Sequence, residues 1–172
     1  ALAERFAVQG GEGAEVISGC LNDYFGQLIE LVSAGGGDIL KFAGDALVAV
    51  WQGVDDLVAP LRLATQCGVG VQARLHGYQV RDDEKLSARV VVSAGELELM
   101  HVGGELGRWE SLLRGAPFAS LARLANDAEP GDVVVDAEHW DALKSYFNGE
   151  LLSAGVRVTD VLNTAPASPL TA

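Results

Sequence analysis

Apolar residues recur along this chain with two different periods, and each change of period marks a new element. Val16, Ile17, Cys20, Leu21, Tyr24, Leu28, Leu31 and Val32 keep helical spacing. They predict a first helix that runs to a stop at Gly35-Gly36-Gly37. From Gly36 to Trp51 the period shortens. Two apolar runs rich in strand formers flank the short turn Ala43-Gly44-Asp45, which predicts a β-hairpin. Leu57, Leu61, Ala64, Gly68, Val71 and Leu75 return to helical spacing, with Pro60 tolerable only in the first turn. Beyond a connector at Arg81-Asp82-Asp83-Glu84-Lys85, the runs Leu86 to Ala94 and Glu96 to Val102 predict strands meeting near Gly95. After the loop Gly103-Gly104-Glu105-Leu106-Gly107, Trp109 to Arg114 predicts a short strand and Pro117 to Ala128 a helix. Glu129-Pro130-Gly131 ends that helix; Val133 to Val135 reads as a strand, Glu138 to Tyr146 as a short helix and Val156 to Leu162 as a last strand.

The hairpin is unusual in its polar residues. Lys41 interrupts an apolar strand and Asp45 stands where the second strand begins. Each has a plain reading: aspartate beside glycine is ordinary turn chemistry, and a strand lysine lays its stem on the sheet with its ammonium in water. Together they place a cation and an anion where one ligand could meet both.

The run Gly36-Gly37-Asp38-Ile39-Leu40-Lys41-Phe42-Ala43-Gly44-Asp45-Ala46-Leu47 resembles the metal-binding hairpin of class III nucleotidyl cyclases, most of all the soluble, bicarbonate-responsive adenylyl cyclase type. Gly115-Ala116-Pro117-Phe118-Ala119-Ser120-Leu121-Ala122-Arg123-Leu124 resembles the later helix motif G-x-x-V-N-x-A-x-R-L. Pro130-Gly131-Asp132-Val133-Val134-Val135 resembles the strand entry that follows, and Val92-Ser93-Ala94-Gly95-Glu96 sits where that family has an H-x-G-x strand. The order of these segments matches the family's over most of the chain.

The resemblance implies an α+β fold, a ferredoxin-like antiparallel sheet with helices, as a cyclase homology domain over residues 1–163 and a proline-bearing tail over 164–172. In that family a strand carrying a first metal-binding aspartate precedes the first helix. Here it is expected before Ala1, the chain reading as trimmed at its start. The implied activity is conversion of ATP to cyclic AMP and pyrophosphate with two Mg²⁺ or Mn²⁺ ions. Asp45 matches a metal-binding, catalytic aspartate, and Arg123 matches a transition-state arginine. Lys41 and Arg123 match positions that bind bicarbonate in the first domain of bicarbonate-responsive cyclases.

Two positions depart from the pattern. The asparagine of the helix motif falls on Ala119, and the base-selecting position, three before the motif glycine, falls on Leu112. A methyl group cannot orient a ribose, and an apolar chain cannot hydrogen-bond an adenine amino group. The chain therefore reads as the metal-supplying first half of an unequal pair, inactive alone, whose partner domain supplies the base pocket, asparagine and arginine. The alternatives are a catalytically inactive cyclase-like domain that dimerises and senses anions, and an unrelated ferredoxin-like module that shares the hairpin by chance.

Composition narrows the picture further. The chain has 172 residues, 49% of them hydrophobic, enough for one core. Its formal charge of -12 disfavours nucleic-acid backbones and anionic membranes as partners. No apolar run approaches the ~18 residues of a membrane span. The start lacks a signal-peptide layout, and Cys20 and Cys67 read as buried thiols of a reducing compartment, which together predict a cytoplasmic protein. His76, His101 and His139 lack metal-ligand spacing and read as surface or satisfied core residues. The glycine-rich loop at 103–107 lacks the Lys-Ser/Thr of a P-loop. Trp51, Trp109 and Trp140 read as core or interface anchors.

Overall fold

The computed structural model describes residues 10–53, 56–81, 84–104, 107 and 109–166. Helix α1 (Gly10–Ala34) leads into the hairpin β1 (Asp38–Ala43) and β2 (Ala46–Val50). Helix α2 (Val58–Leu75) is followed by a second hairpin, β3 (Tyr78–Arg81) and β4 (Glu84–Leu86). Then come β5 (Val90–Val92) and a third hairpin, β6 (Glu98–Gly103) with β7 (Trp109–Arg114). Helix α3 (Ala116–Asp127), β8 (Val133–Asp136), a 3₁₀ turn (Ala137–His139), α4 (Trp140–Leu143), β9 (Phe147–Leu151) and β10 (Gly155–Val161) complete it. The strand expected before Ala1 lies outside the described residues.

The larger sheet has four strands in the order β5-β8-β10-β9. It is mixed rather than wholly antiparallel, because β5 runs parallel to β8 in the register Val90↔Val133, Val91↔Val134, Val92↔Val135. Strand β8 is buried along its whole length, as expected for a strand covered on both faces. Its alternation assigns the faces. Val135 joins Leu61 of α2, Val92, Leu143 and Phe147 in one cluster. Val134 joins Leu124 and Ala128, from α3 and its end, in another. Helices α2 and α3 therefore cover opposite faces of the strand. Gly68 lets α2 close on the sheet: a Cβ there would lie 2.9 Å from Cγ1 of Val90. A third cluster, Tyr24 with Val71 and Leu75, joins α1 to α2.

Helix α1 stops where the glycine run predicts. Gly36 takes φ 77°, a left-handed value that favours glycine. Gly37 N donates to Val32 O at 2.9 Å and Gly36 N to Ser33 O at 3.1 Å, the two bonds of a Schellman motif. The motif turns the chain into β1 beside the helix it has just left. Pro60 lies in the first turn of α2, and Asp56 Oδ1 accepts from Val58 N at 2.8 Å, satisfying one of the free N–H groups there.

Several expectations are corrected. The polar connector at 81–85 is taken up at both ends by paired strands, since Tyr78↔Leu86, Gln79↔Lys85 and Arg81↔Glu84 form a ladder; Asp82 and Asp83 lie outside the described residues. The long strand expected from Leu86 to Ala94 is two short ones, β4 and β5, with different neighbours. The second strand expected near Gly95, β6, does not pair with β5 but with β7, from Glu98↔Arg114 to Gly103↔Trp109. Strand β9 was hidden from the sequence because Asn148 and Gly149 weaken its pattern, yet it forms the sheet edge beside β10. The helix expected from Glu138 to Tyr146 is a 3₁₀ turn and one short α-turn. At the start of the proline-bearing tail, Ala165 is held at both backbone polar groups by Gln66 of α2, at 2.8 and 3.0 Å.

Candidate functional site

The β1–β2 hairpin is built to present its tip. Register runs from Asp38↔Val50 to Ala43↔Ala46, leaving a two-residue loop, Gly44-Asp45. Gly44 takes φ 65° at the first loop position, as tight hairpin turns with a left-handed first residue require. A bulge at Leu40 interrupts the ladder between Ile39 and Lys41. Both ends are anchored. Phe42 sets its ring edge-on to Phe25 of α1 at 5.6 Å, and Trp51 Nε1 donates to Gly35 O at 2.8 Å. Asp45 and Lys41 are exposed, and among the described residues neither side chain has an ion-pair or hydrogen-bond partner. An oxygen ligand at the tip of a braced turn suits a hard divalent cation in donor type. Among the described residues, no three His, Cys, Asp or Glu side chains are grouped to hold a metal, so Asp45 stands as a single donor.

Arg123 sits elsewhere, on α3, which packs against β5 and β8. Its place follows from helical and strand periods. Leu124 is 0% exposed against Val134. Ser120, one turn before Leu124, lies on the same helix face, and Asp136 lies two residues beyond Val134 on the same strand face. Asp136 thus emerges beneath α3 where Ser120 and Arg123 can reach it. Arg123 Nη2 donates to Ser120 Oγ at 2.9 Å and lies 3.6 Å from Asp136 Oδ2.

Asp136 is a buried carboxylate held by several groups. Ser93, one step past β5 in the parallel register, donates from Oγ to Asp136 Oδ2 at 3.4 Å, and Glu138 N donates to Oδ1 at 3.5 Å. Burial opposes its charge. The hydrogen bonds of Ser120 and Glu138 and the nearby Arg123 and His139 more than offset that, holding its carboxyl below the ordinary carboxylate range. His139 is half-buried, with Nδ1 lacking a hydrogen-bond partner among the described residues; the expectation of a surface or satisfied histidine does not hold for it.

The sequence reading missed Asp136, Ser120 and Ser93. A signal was present: Asp136 ends the run Val133-Val134-Val135, and a carboxylate closing a doubly covered strand must find partners. Of the residues it named, the structure keeps Lys41 and Asp45 on one hairpin and puts Arg123 on a separate element, compensated by Asp136. Ala119 and Leu112 are exposed, on α3 and β7. The remaining candidates are structural or solvent-facing. Burial pushes the Cys67 thiol up to about 11, away from reactivity, and Cys20 and Cys67 are both free thiols. His76 is exposed beside Gly131. Among the described residues no helix is long and apolar enough to cross a membrane.

No protein-family model matches the chain. Adenylate cyclase type 10 of Rattus norvegicus is 28% identical over 144 residues, or 81% of this chain, and the human protein of that name is 27% identical over the same length. The match spans 9% of each of those proteins. Among solved structures, the guanylyl cyclase Cya2 superposes at TM-score 0.73 and 19% identity, covering 97% of this chain and 91% of that one. The adenylyl cyclase CyaB from P. aeruginosa superposes at 0.68 and 16% identity, covering 96% and 90%. The guanylate cyclase domain of RhGC from Catenaria anguillulae, solved in complex with GTP, superposes at 0.69 and 14% identity, covering 82% of each chain. The chain thus has the fold of class III adenylyl and guanylyl cyclase catalytic domains, and in sequence it is similar to soluble adenylate cyclase, as its motifs led one to expect.

Proposed function

We propose that this chain is the metal-supplying half of a nucleotidyl cyclase. Paired with a second cyclase domain, it converts ATP to cyclic AMP and pyrophosphate in the cytoplasm. The observation that carries this reading is the carboxylate of Asp45, unpartnered among the described residues, at the tip of a braced hairpin in a fold of the cyclase type. In the reaction the ribose 3′ oxygen forms a bond to the α-phosphorus as the bond to pyrophosphate breaks, and the hydroxyl proton passes to water. Mg²⁺ or Mn²⁺, which Asp45 would help to hold, would supply positive charge that acidifies that hydroxyl and neutralises the phosphates. Asp45 contributes one oxygen ligand, and Lys41, four residues earlier on the same hairpin, adds a cation for the triphosphate or a small oxyanion. Arg123 offers a planar fork to phosphate oxygens.

The missing chemistry supports a partner. Ala119 and Leu112 can neither orient the ribose nor hydrogen-bond the base. The β6–β7 hairpin leaves Leu99, Met100, Val102, Trp109 and Leu112 in solvent, with Trp109 66% exposed, a surface of the kind that pairs with another protein. Those same two substitutions favour the second reading, an inactive cyclase-like domain that pairs with a partner and senses an anion such as bicarbonate. Assay of the full-length protein with ATP and Mn²⁺ separates the two. Cyclic AMP that disappears in Asp45→Ala supports the first reading; none from a folded, paired protein supports the second. This chain alone is expected to make no product above background.

A further inference from the structure

Arg123 is held at one corner only. Nη2 meets Ser120 and Asp136, while Nε and Nη1 have no partner among the described residues, and the side chain is 59% exposed. The other end of the contact is rigid: the Asp136 side chain is 5% exposed and tied to Ser93 and to the backbone of Glu138. An ordinary surface ion pair joins two flexible chains and fixes neither. Here a buried anchor meets an exposed cation.

We propose that Asp136 is a positioning residue: with Ser120 it holds Nη2 of the Arg123 guanidinium and leaves the Nε–H and Nη1 hydrogens to donate to an oxyanion. This rests on the reading of Arg123 as an anion-facing residue. A free arginine side chain samples many rotamers and loses that freedom when it binds a ligand. Pinning it before the ligand arrives removes part of that cost from binding. The contact suits the task, since the charge-assisted N–H donors of Nε and Nη1 stay free among the described residues while Nη2 is held. The shared chemistry of the ligand is a planar or tetrahedral oxyanion, either a nucleotide phosphate or free bicarbonate.

The test uses the full-length protein and its Arg123→Ala, Asp136→Asn and Ser120→Ala variants. Three quantities are read: kcat and KM for ATP with Mn²⁺, the half-saturating bicarbonate concentration, and the thermal midpoint. Arg123→Ala should raise KM or the bicarbonate half-saturation by about tenfold or more, and Asp136→Asn and Ser120→Ala should each raise that same constant roughly threefold to tenfold. A shift in KM identifies the nucleotide as the ligand, and a shift in the bicarbonate constant identifies the free anion. A purely structural Asp136 would lower the thermal midpoint and leave both constants alone; that result overturns the proposal. Ser120→Ala keeps the test decisive should Asp136→Asn fold poorly, because Ser120 lies at the helix surface end of the contact. Wild-type constants in Asp136→Asn and Ser120→Ala beside a defective Arg123→Ala refute positioning and leave the reading of Arg123 intact. Wild-type constants in Arg123→Ala refute both.

Discussion

The hairpin tip and the α3–β8 junction each offer a charged group to a ligand, but they prepare it in opposite ways. Asp45 stands on a two-residue loop braced by Phe42 and Trp51, with its carboxylate unpartnered among the described residues. The backbone there is fixed and the charge is left for something outside the chain. At the junction the carboxylate is buried and satisfied by Ser120, Ser93 and Glu138 N, and the exposed cation is tied to it. The first arrangement keeps charge unspent, which suits a metal brought with substrate; the second fixes a geometry, which suits contact with an oxyanion of known shape. Stability should therefore depend on the second region and activity on both.

The largest expected effect breaks the first half of that contrast. In the full-length protein Asp45→Ala should lower turnover by ~100-fold or more, with the thermal midpoint almost unchanged, since the side chain is exposed and has no ion-pair or hydrogen-bond partner among the described residues. Parallel turnover assays and calorimetry check this; near-normal turnover removes Asp45 from the mechanism. Next in size is Leu124→Ala. Its side chain is fully buried between α3 and β8, so the truncation should cost about 2–5 kcal/mol in denaturant unfolding. A cost under ~1 kcal/mol would show that the junction is not the stabilising region we describe. Gly44→Ala should cost about 1–2 kcal/mol through its left-handed φ alone, because a Cβ there meets open space. Turnover should fall with it if the turn sets the direction of Asp45, which an assay of the folded variant reads.

The smallest effect is in acid. The carboxyl of Asp136 titrates below its unfolded value, so its contribution is complete above the ordinary carboxylate range, about 3.9, and is lost as pH falls through the lower folded value. Stability should decline on acidification below about pH 4. In Asp136→Asn that decline should be flatter, as read from thermal midpoints between pH 2 and 6; an unchanged slope would assign the acid sensitivity to other carboxylates, such as Asp127, which accepts from Ser153 Oγ and Ala154 N.

By itself the sequence determined the parts whose signal is local. The glycine run after α1, the hairpin at Gly44-Asp45, Pro60 in the first turn of α2 and the helix behind Pro117 all follow from backbone rules that need only near neighbours in the chain. The motifs around Lys41, Asp45 and Arg123 were legible for the same reason, as short runs. Only the tertiary structure decided what required distant partners. Pairing of β5 with β8 rather than with β6 depends on which strand faces each edge, information that no run of residues between Val90 and Val102 contains. Strand β9, with Asn148 and Gly149 at its centre, is a strand because β10 offers it a ladder. The Arg123–Ser120–Asp136 contact exists because α3 lies on one face of β8 and α2 on the other, so that the parity of a strand and the turn of a helix bring together residues 13 and 16 apart in the sequence. Burial of Asp136 is a property of that packing, and it gives the carboxylate the rigidity that its place in the chain could not.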